Sequence, residues 1–399
     1  MTEQAKVPSI RFAGFTDPWE QRKASEVFQI VDDRGHPTLP VLSATQNQGM
    51  IYRDDSGRYI GHDESNEIGY KRVLPGDFVV HLRSFQGGFA HSQYEGITSP
   101  AYTVFRAKEP TSHSDRFWKH WFMSEHFIAG LSTVTYGIRD GRSISVDEFM
   151  NTFLAFPAVE EQAAISRLLD YLDSLITLHQ RKYDKLVIFK KSMLEKMFPK
   201  DGESVPEIRF AGFTDPWEQR KFGELYRPVS EKNDLSFGRD KAISVANMYF
   251  NPAVYVTEDS YLATYNVMRL GDIAFEGNRS KRFAHGRFVE NTIGDGIVSH
   301  VFKVFRHVGD NYDLSYWKHA INNEKLMKDV LTRSTKASTM MHELVTADFL
   351  EELTLVPSLN EQRAIGAAID SIDNLITLHQ RKLELLQNIK KSLLDKMFA

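Results

Sequence analysis

The chain has 399 residues, 42% of them hydrophobic and 26% charged, with a net charge of -4 and no cysteine. This is ordinary globular composition, long enough for more than one core, and it excludes a disulfide framework. The charge balance speaks against indiscriminate polyanion binding, and with no apolar run able to cross a bilayer and no legible leader peptide, a cytoplasmic protein is expected.

The first motif in chain order is "IRFAGFTDPWEQRK", which starts at Ile10 and returns letter for letter from Ile208. Asp17, Pro18 and Glu20 have the spacing of a helix cap, with Pro18 in the first turn and Glu20 completing a capping box. Phe12, Phe15 and Trp19 are expected to be packing residues. A repeat of about 200 residues is domain-sized, so the chain reads as two tandem copies of one unit.

Residues 24–156 follow, with short β-rich runs such as "PGDFVVHLR" and "AYTVFRA" between Gly, Asn, Asp and Ser turns, and a helix expected over 115–130. Residues 222–356 repeat that plan in a different sequence, with "HVFKVFR" as a strand and a helix over 314–331. The two inner regions share only sparse anchors: Gly76-Asp77 with Gly271-Asp272, Phe89-Ala90-His91 with Phe283-Ala284-His285, and Val104-Phe105-Arg106 with Val304-Phe305-Arg306. Trp118 and Trp317, in "FWKH" and "YWKH", are expected in the core, with base stacking as the competing reading.

Each inner region leads into a long helix. Between Glu160 and Phe198 there is no proline or glycine, and Ile165, Leu169, Leu172, Ile176, His179, Tyr183, Leu186, Lys190, Met193 and Met197 recur at alternating steps of four and three. The second copy repeats the pattern from Ile365 to Met397, including an identical "LITLHQRK". That is a coiled-coil seam. Each helix is the natural partner of the other, and the short linker "KDGESVPE" favours antiparallel pairing. A rod of this length spans roughly 58 Å at 1.5 Å per residue. The expected fold class is mixed α/β (α+β): two tandem domains separated by two long antiparallel helices, with pseudo-two-fold internal repetition.

No enzyme motif is legible. "NPAVY" at Asn251 lacks the second proline of a methyltransferase tetrad, no lysine has an acidic residue two places before it, and "HELVT" at His342 lacks the second histidine of a zinc helix. With no tight His/Asp cluster in the letters, no metal site is expected.

Two dissimilar domains framed by two nearly identical long helices resemble the specificity subunit of type I restriction-modification systems, along essentially the whole chain. The phrases "LPVLSATQNQGMI", "GITSPAYTVF", "EEQAAISRLLDYLDSLITLHQRK" and "NEQRAIGAAIDSIDNLITLHQRK" are similar to those of its Gram-positive members. The resemblance implies a non-catalytic, DNA-binding adaptor. Residues 1–157 and 200–357 would hold the two target recognition domains, the second preceded by its linker, and residues 158–199 and 358–399 the spacer helices. Double-stranded DNA would be read as a bipartite, asymmetric target, with two methyltransferase (modification) subunits and restriction/translocase subunits as partners. S-adenosylmethionine, ATP and Mg would sit on those partners and no cofactor on this chain, which would direct adenine N6 methylation. Half-sites read from one side of B-DNA lie roughly 34 Å apart, within reach of such a rod.

On this reading the second domain would contact DNA through Asn278, Arg279, Lys281, Arg282 and Arg287, since Arg and Lys suit phosphate and guanine while Asn suits adenine. The first would use Thr45, Gln46, Asn47 and Gln48 on a turn, and Arg83, Ser84 and Gln86. Tyr136, Arg139 and Arg142, and Arg333, Ser334, Thr335 and Lys336, suit backbone clamping. Solvated loops are the competing reading for all of these. Glu160, Glu161 and Gln162, with Glu361 and Gln362, are the expected docking contacts for the methyltransferase subunits at the start of each helix. The rival function is a protein-only coiled-coil scaffold with two ligand-binding domains that does not touch DNA.

Overall fold

A computed structural model describes residues 8–45, 48–57, 64–81, 89–125, 127–128, 135–136, 143–144, 146–200, 202–278, 280, 283–337 and 341–398. The chain divides into two compact units, Met1–Gln180 with Arg381–Ala399, and Arg181–Gln380. Each unit therefore holds one inner region, the start of its own long helix and the end of the other.

In the first unit the alternating apolar runs build a four-stranded antiparallel sheet, in the order Phe28–Val31, Tyr102–Ala107, Phe78–His81, Phe89–His91. Successive side chains leave opposite faces of a strand. Phe78, Val80, Phe89 and Phe105 accordingly enter one core with Phe117, Trp118 and the long helices, while Val79, Ala90 and Val104 enter a second core with Leu42, Met50 and Val73. The second unit repeats the sheet with Tyr226–Val229, Lys303–His307, Ile273–Glu276 and Arg287–Glu290. Its alternation puts Ile273, Phe275, Phe288 and Phe305 on the helix side and Ala274, Val289 and Val304 on the other.

The sequence anchors acquire a physical meaning. Gly76 and Gly271 have φ of 91° and 85°, the left-handed turn that glycine adopts without strain. Asp77 and Asp272, next in each copy of the repeat, are 1% exposed and accept two hydrogen bonds each, from Arg106 at 2.7 and 2.8 Å and from Arg306 at 2.9 and 2.9 Å. The Phe-Ala-His match is corrected: Phe78 pairs with His91 and Ile273 with Glu290, so the counterpart of Phe89–His91 is the strand holding Phe288 and Glu290, not Phe283-Ala284-His285.

The capping reading of the opening motif is also corrected. Glu20–Lys23 is a strand paired with Phe153–Phe156, and Glu218–Lys221 one paired with Leu353–Val356. So short a helix would form few internal hydrogen bonds, whereas the strand pairs with the residues just before the long helix. The helix expected over 115–130 is Asp115–Trp121, and that over 314–331 is two helices, Leu314–Ala320 and Glu324–Ser334. The break is made by Asn323, whose side chain accepts from Lys325 N and Leu326 N to cap the second helix.

The long helices are Val159–Lys196 and Leu359–Met397. Within the first unit Ile165, Leu169 and Leu172 share a core with Leu386, Leu393 and Met397, and Lys390 Nζ bonds Asp173. Within the second, Ile365 and Ile369 share a core with Met193 and Met197, and Lys190 Nζ bonds Asp373 at 2.7 Å. In each unit the start of one helix meets the end of the other. No helix among the described residues is long and apolar enough to cross a membrane.

Candidate nucleic-acid interface

In the second unit the fold brings two separately predicted basic segments together. The strands Ile273–Glu276 and Arg287–Glu290 diverge after the pair Glu276↔Arg287, opening the loop that carries Asn278. Strands Thr335–Ala337 and His342–Leu344 form a hairpin directly after helix Glu324–Ser334. The His342 amide donates to Gly277 O at 2.9 Å, and the His285 and His342 rings lie 5.0 Å apart. A Cβ on Gly277 would stand 2.1 Å from His342 O, so only glycine allows this approach. A small cleft of about 100 Å³ beside the loop is lined by Phe283, His285, Arg287, Met327 and Lys328 among others.

Several of the side chains nominated as DNA contacts are engaged internally. Arg287 donates to Glu276 Oε2 at 2.7 Å and to Ala246 O at 2.6 Å, with its guanidinium over the Phe283 ring. Asn278 is exposed and donates to Glu276 Oε1 at 3.3 Å. Ser334 is corrected outright: it is fully buried, and its hydroxyl donates to Val330 O within its own helix. Thr335 is half-buried and donates to Leu331 O at 2.6 Å. Arg333 holds Glu352 through two bonds of 2.8 and 2.5 Å on the surface. The Arg333 side chain is 59% exposed, whereas that of Glu352 is only 13% exposed. Lys336 is exposed with no partner among the described residues. Arg279, Lys281 and Arg282 lie outside the described residues.

In the first unit, Thr45 pairs with Gly49 across a hairpin; its hydroxyl donates to Gly49 O at 2.8 Å and accepts from Gln48 N at 3.1 Å. A Cβ on Gly49 would meet His91 O at 2.3 Å, which seats this hairpin on the central sheet. Gln46, Asn47, Arg83, Ser84, Gln86, Arg139 and Arg142 lie outside the described residues. Tyr136 belongs to the strand pair Thr135–Tyr136 with Ser143–Ile144. Trp118 and Trp317 are buried core residues, 0% and 2% exposed.

At the start of the long helices the docking expectation needs correction. Glu161 accepts from Arg11 at 2.9 and 2.6 Å, and Glu361 from Arg209 at 2.8 and 2.7 Å, both carboxylates buried. Gln162 accepts from Ser114 N and Gln362 from Asp313 N, and their amides donate to Pro157 O and Pro357 O. These four side chains fix the domain to its helix. Glu160, by contrast, is exposed.

The sequence reading missed two His–Asp–Asp groups, because their members lie some 50 residues apart. His120 meets Asp170 at 2.9 Å beside Asp173, and His319 meets Asp370 at 2.8 Å beside Asp373. Lysine ammonium groups already sit on these carboxylates: Lys119 and Lys318 on the aspartates nearest the histidines, Lys390 and Lys190 on the others. Burial works to raise Asp170, but hydrogen bonds from His120 and Lys119 hold it below the ordinary carboxylate range. The groups act as charge clamps between a domain helix and both long helices.

No family model matches the chain. The chain is 23% identical over 269 residues to the type I restriction enzyme MjaVIII specificity subunit of Methanocaldococcus jannaschii, covering 62% of this chain and 61% of that protein. It is 24% identical over 419 residues to a putative type I restriction enzyme MjaX specificity subunit of the same organism, covering 95% and 92%. The chain thus spans about three fifths of the first relative and nearly all of the second. Among solved structures, a type I restriction-modification system S subunit from M. genitalium superposes with a TM-score of 0.57 over 99% of both chains at 14% identity, which shows the shared fold.

Proposed function

We propose that the chain, a relative of type I restriction enzyme specificity subunits, reads a bipartite, asymmetric DNA target and directs adenine N6 methylation by a partner. The observation that carries this reading is one fold built twice with two different sets of surface loops. Duplicated framework supplies equivalent docking for two methyltransferase subunits, and divergent loops supply unequal half-sites. In the second unit the reader is built from Asn278 and Arg287 together with the strand pair bearing Lys336. Phosphate contacts from such lysines and arginines give affinity, and base-edge contacts from the loop give sequence. S-adenosylmethionine, ATP and Mg belong to the partner subunits, including the restriction/translocase subunit that would cut unmodified DNA.

The test is methylome sequencing of cells expressing the chain with its methyltransferase subunit, beside a variant whose residues 222–350 come from a relative. The expected result is N6-methyladenine in a split motif, only one half of which changes in the variant. If the whole motif changes, or no split motif appears although the complex assembles, the reading fails.

A further inference from the structure

In the second unit the strands Ile243–Ser244 and Tyr249–Phe250 form a hairpin that occupies the place of Leu42–Thr45 with Gly49–Tyr52 in the first. The residues just before the two hairpins, Val41 and Ala242, make the same parallel bridge, to Ile97 and Ile297. Their carbonyls accept from the residues just after the hairpins, Arg53 N at 2.9 Å and Asn251 N at 2.7 Å. The tip of the first hairpin carries Gln46, Asn47 and Gln48, which residue type alone marks as DNA contacts. The equivalent tip of the second, Val245–Met248, escapes a reading of the letters because most of them are apolar.

Those apolar letters explain how the tip is held. Val245 is buried and Met248 half-buried in the core of Ala274, Val289 and Val304. Met248 N donates to Ser244 O at 2.8 Å, and Met248 has a φ of 46°, the left-handed region that residues other than glycine seldom adopt. Such a conformation persists only where the surroundings fix it, and here the packed side chains on either side do so. What the turn leaves in solvent is Ala246 and Asn247. The Asn247 amide has no hydrogen-bond partner among the described residues.

A second set of bonds fixes where the tip stands. The buried carboxylate of Glu276 accepts from Arg287 Nε at 2.7 Å and from Asn278 Nδ2 at 3.3 Å, and Arg287 Nη2 donates onward to Ala246 O at 2.6 Å. One ion pair therefore ties the residue before Asn247 to the residue that opens the Asn278 loop. Gly277 O accepts from His342 N, which adds the strand pair bearing Lys336 to the same edge. Three segments far apart in sequence meet there, and Arg287 is the strut between two of them. An asparagine amide offers one acceptor and two donors, the complement of adenine N6 and N7 in the major groove, and an exposed alanine methyl beside it suits a thymine methyl.

We propose that Asn247 is a specificity-determining residue of the second unit, reading one adenine through its amide, and that Arg287 is the positioning residue that holds its turn in place. This rests on the DNA-reading function above and assigns part of it to a turn that residue type does not single out.

The experiment measures Kd for the chain assembled with its methyltransferase subunit on duplexes bearing the motif found by methylome sequencing. Each base pair of the second half-site is replaced in turn, at several salt concentrations. Asn247→Ala should unfold at the wild-type urea midpoint, because the side chain is exposed and unbonded. The expected result is one A·T pair whose replacement weakens the wild type about tenfold and Asn247→Ala not at all. Discrimination at the other positions and the salt slope should stay as in the wild type, since no phosphate contact is lost. Arg287→Lys keeps the charge beside Glu276 but has no planar fork to bridge it to Ala246, so it should lose discrimination at the same base pair. Full discrimination in Arg287→Lys would overturn the strut. Full discrimination in Asn247→Ala, or a uniform weakening on every duplex, would overturn the reading residue and leave the DNA-reading function standing. A wild-type complex that binds every duplex alike would overturn both.

Discussion

Glu290 and His91 occupy the same place in the two sheets, each opposite the residue that follows a Gly-Asp turn. His91 finds Asp115 at 2.7 Å. Glu290 is 3% exposed, and one of its carboxyl oxygens has no hydrogen-bond partner. Burial pushes its pKa up to about 9; Lys318 pulls it back, and Asp313 and Asp370 push it further. The folded state therefore keeps a proton that the unfolded chain releases near the ordinary carboxylate value. Between that value and about 9 the unfolded chain binds fewer protons, so stability falls as pH rises, by up to about 1.4 kcal/mol per pH unit for this group. Melting temperatures from about pH 6 to pH 9 should decline for the wild type and flatten in Glu290→Gln. Parallel declines in both proteins would show that Glu290 is charged in the fold.

At the scale of elements, the long helices are where local preference and packing compete most openly. Alanine at position 366 would add about 1 kcal/mol of helix propensity over glycine. A Cβ there, however, would stand 2.6 Å from Tyr316 N and 2.8 Å from Asp313 Oδ1, the two ends of the bond that caps helix Leu314–Ala320. Overpacking costs about 1–3 kcal/mol and should win, so Gly366→Ala should lower the urea midpoint; a higher midpoint would mean that the domain helix yields without loss. The same competition marks what was legible in the letters. The long helices, the strand alternation around Phe78 and Phe305, and the positions of the Gly-Asp and Val-Phe-Arg anchors follow from periodicity and repetition, whereas the Asp–Arg pairing between those anchors does not. The strand at Glu20–Lys23 did not, because its partner Phe153–Phe156 is over a hundred residues away and a cap spacing is a local signal. The nominated site divides in the same way. Residue type marked Lys336 and Asn278 as exposed polar groups, but Ser334 and Glu161 have equally polar letters and only the tertiary fold puts them inside. The His–Asp–Lys clamps were invisible for the converse reason: each member has an ordinary local role, and only the junction of three helices makes them one group.

At the scale of the molecule, the first unit is completed by a segment from the far end of the sequence, whereas the second is continuous and opens with the end of the first long helix. The core of the first unit contains Leu386, Leu393, Met397 and Phe398, and Ile10 N donates to Lys396 O. The core of the second contains Met193, Met197 and Phe198, and Ile208 N donates to Lys196 O. Phe398 lies against Phe117 and Trp19, at ring separations of 5.6 and 6.5 Å, and is 4% exposed. Removing a buried phenylalanine leaves a cavity and costs about 3 kcal/mol. Phe398→Ala should therefore loosen the first unit although residue 398 follows the second in sequence, and Phe198→Ala should loosen the second, to which residue 198 belongs. Hydrogen exchange resolved by peptide separates the cases, because protection in a sheet reports the opening free energy of its own cooperative unit. For Phe398→Ala, amides in Phe78–His81 and Tyr102–Ala107 should lose protection while those in Ile273–Glu276 and Lys303–His307 keep it, and Phe198→Ala should reverse the pattern. Equal loss in both sheets from either substitution would mean that the chain opens as one body. A complementary pattern would make the two helix ends the keystones of two separately stable units, the property that lets the loops of one unit change while those of the other stay fixed.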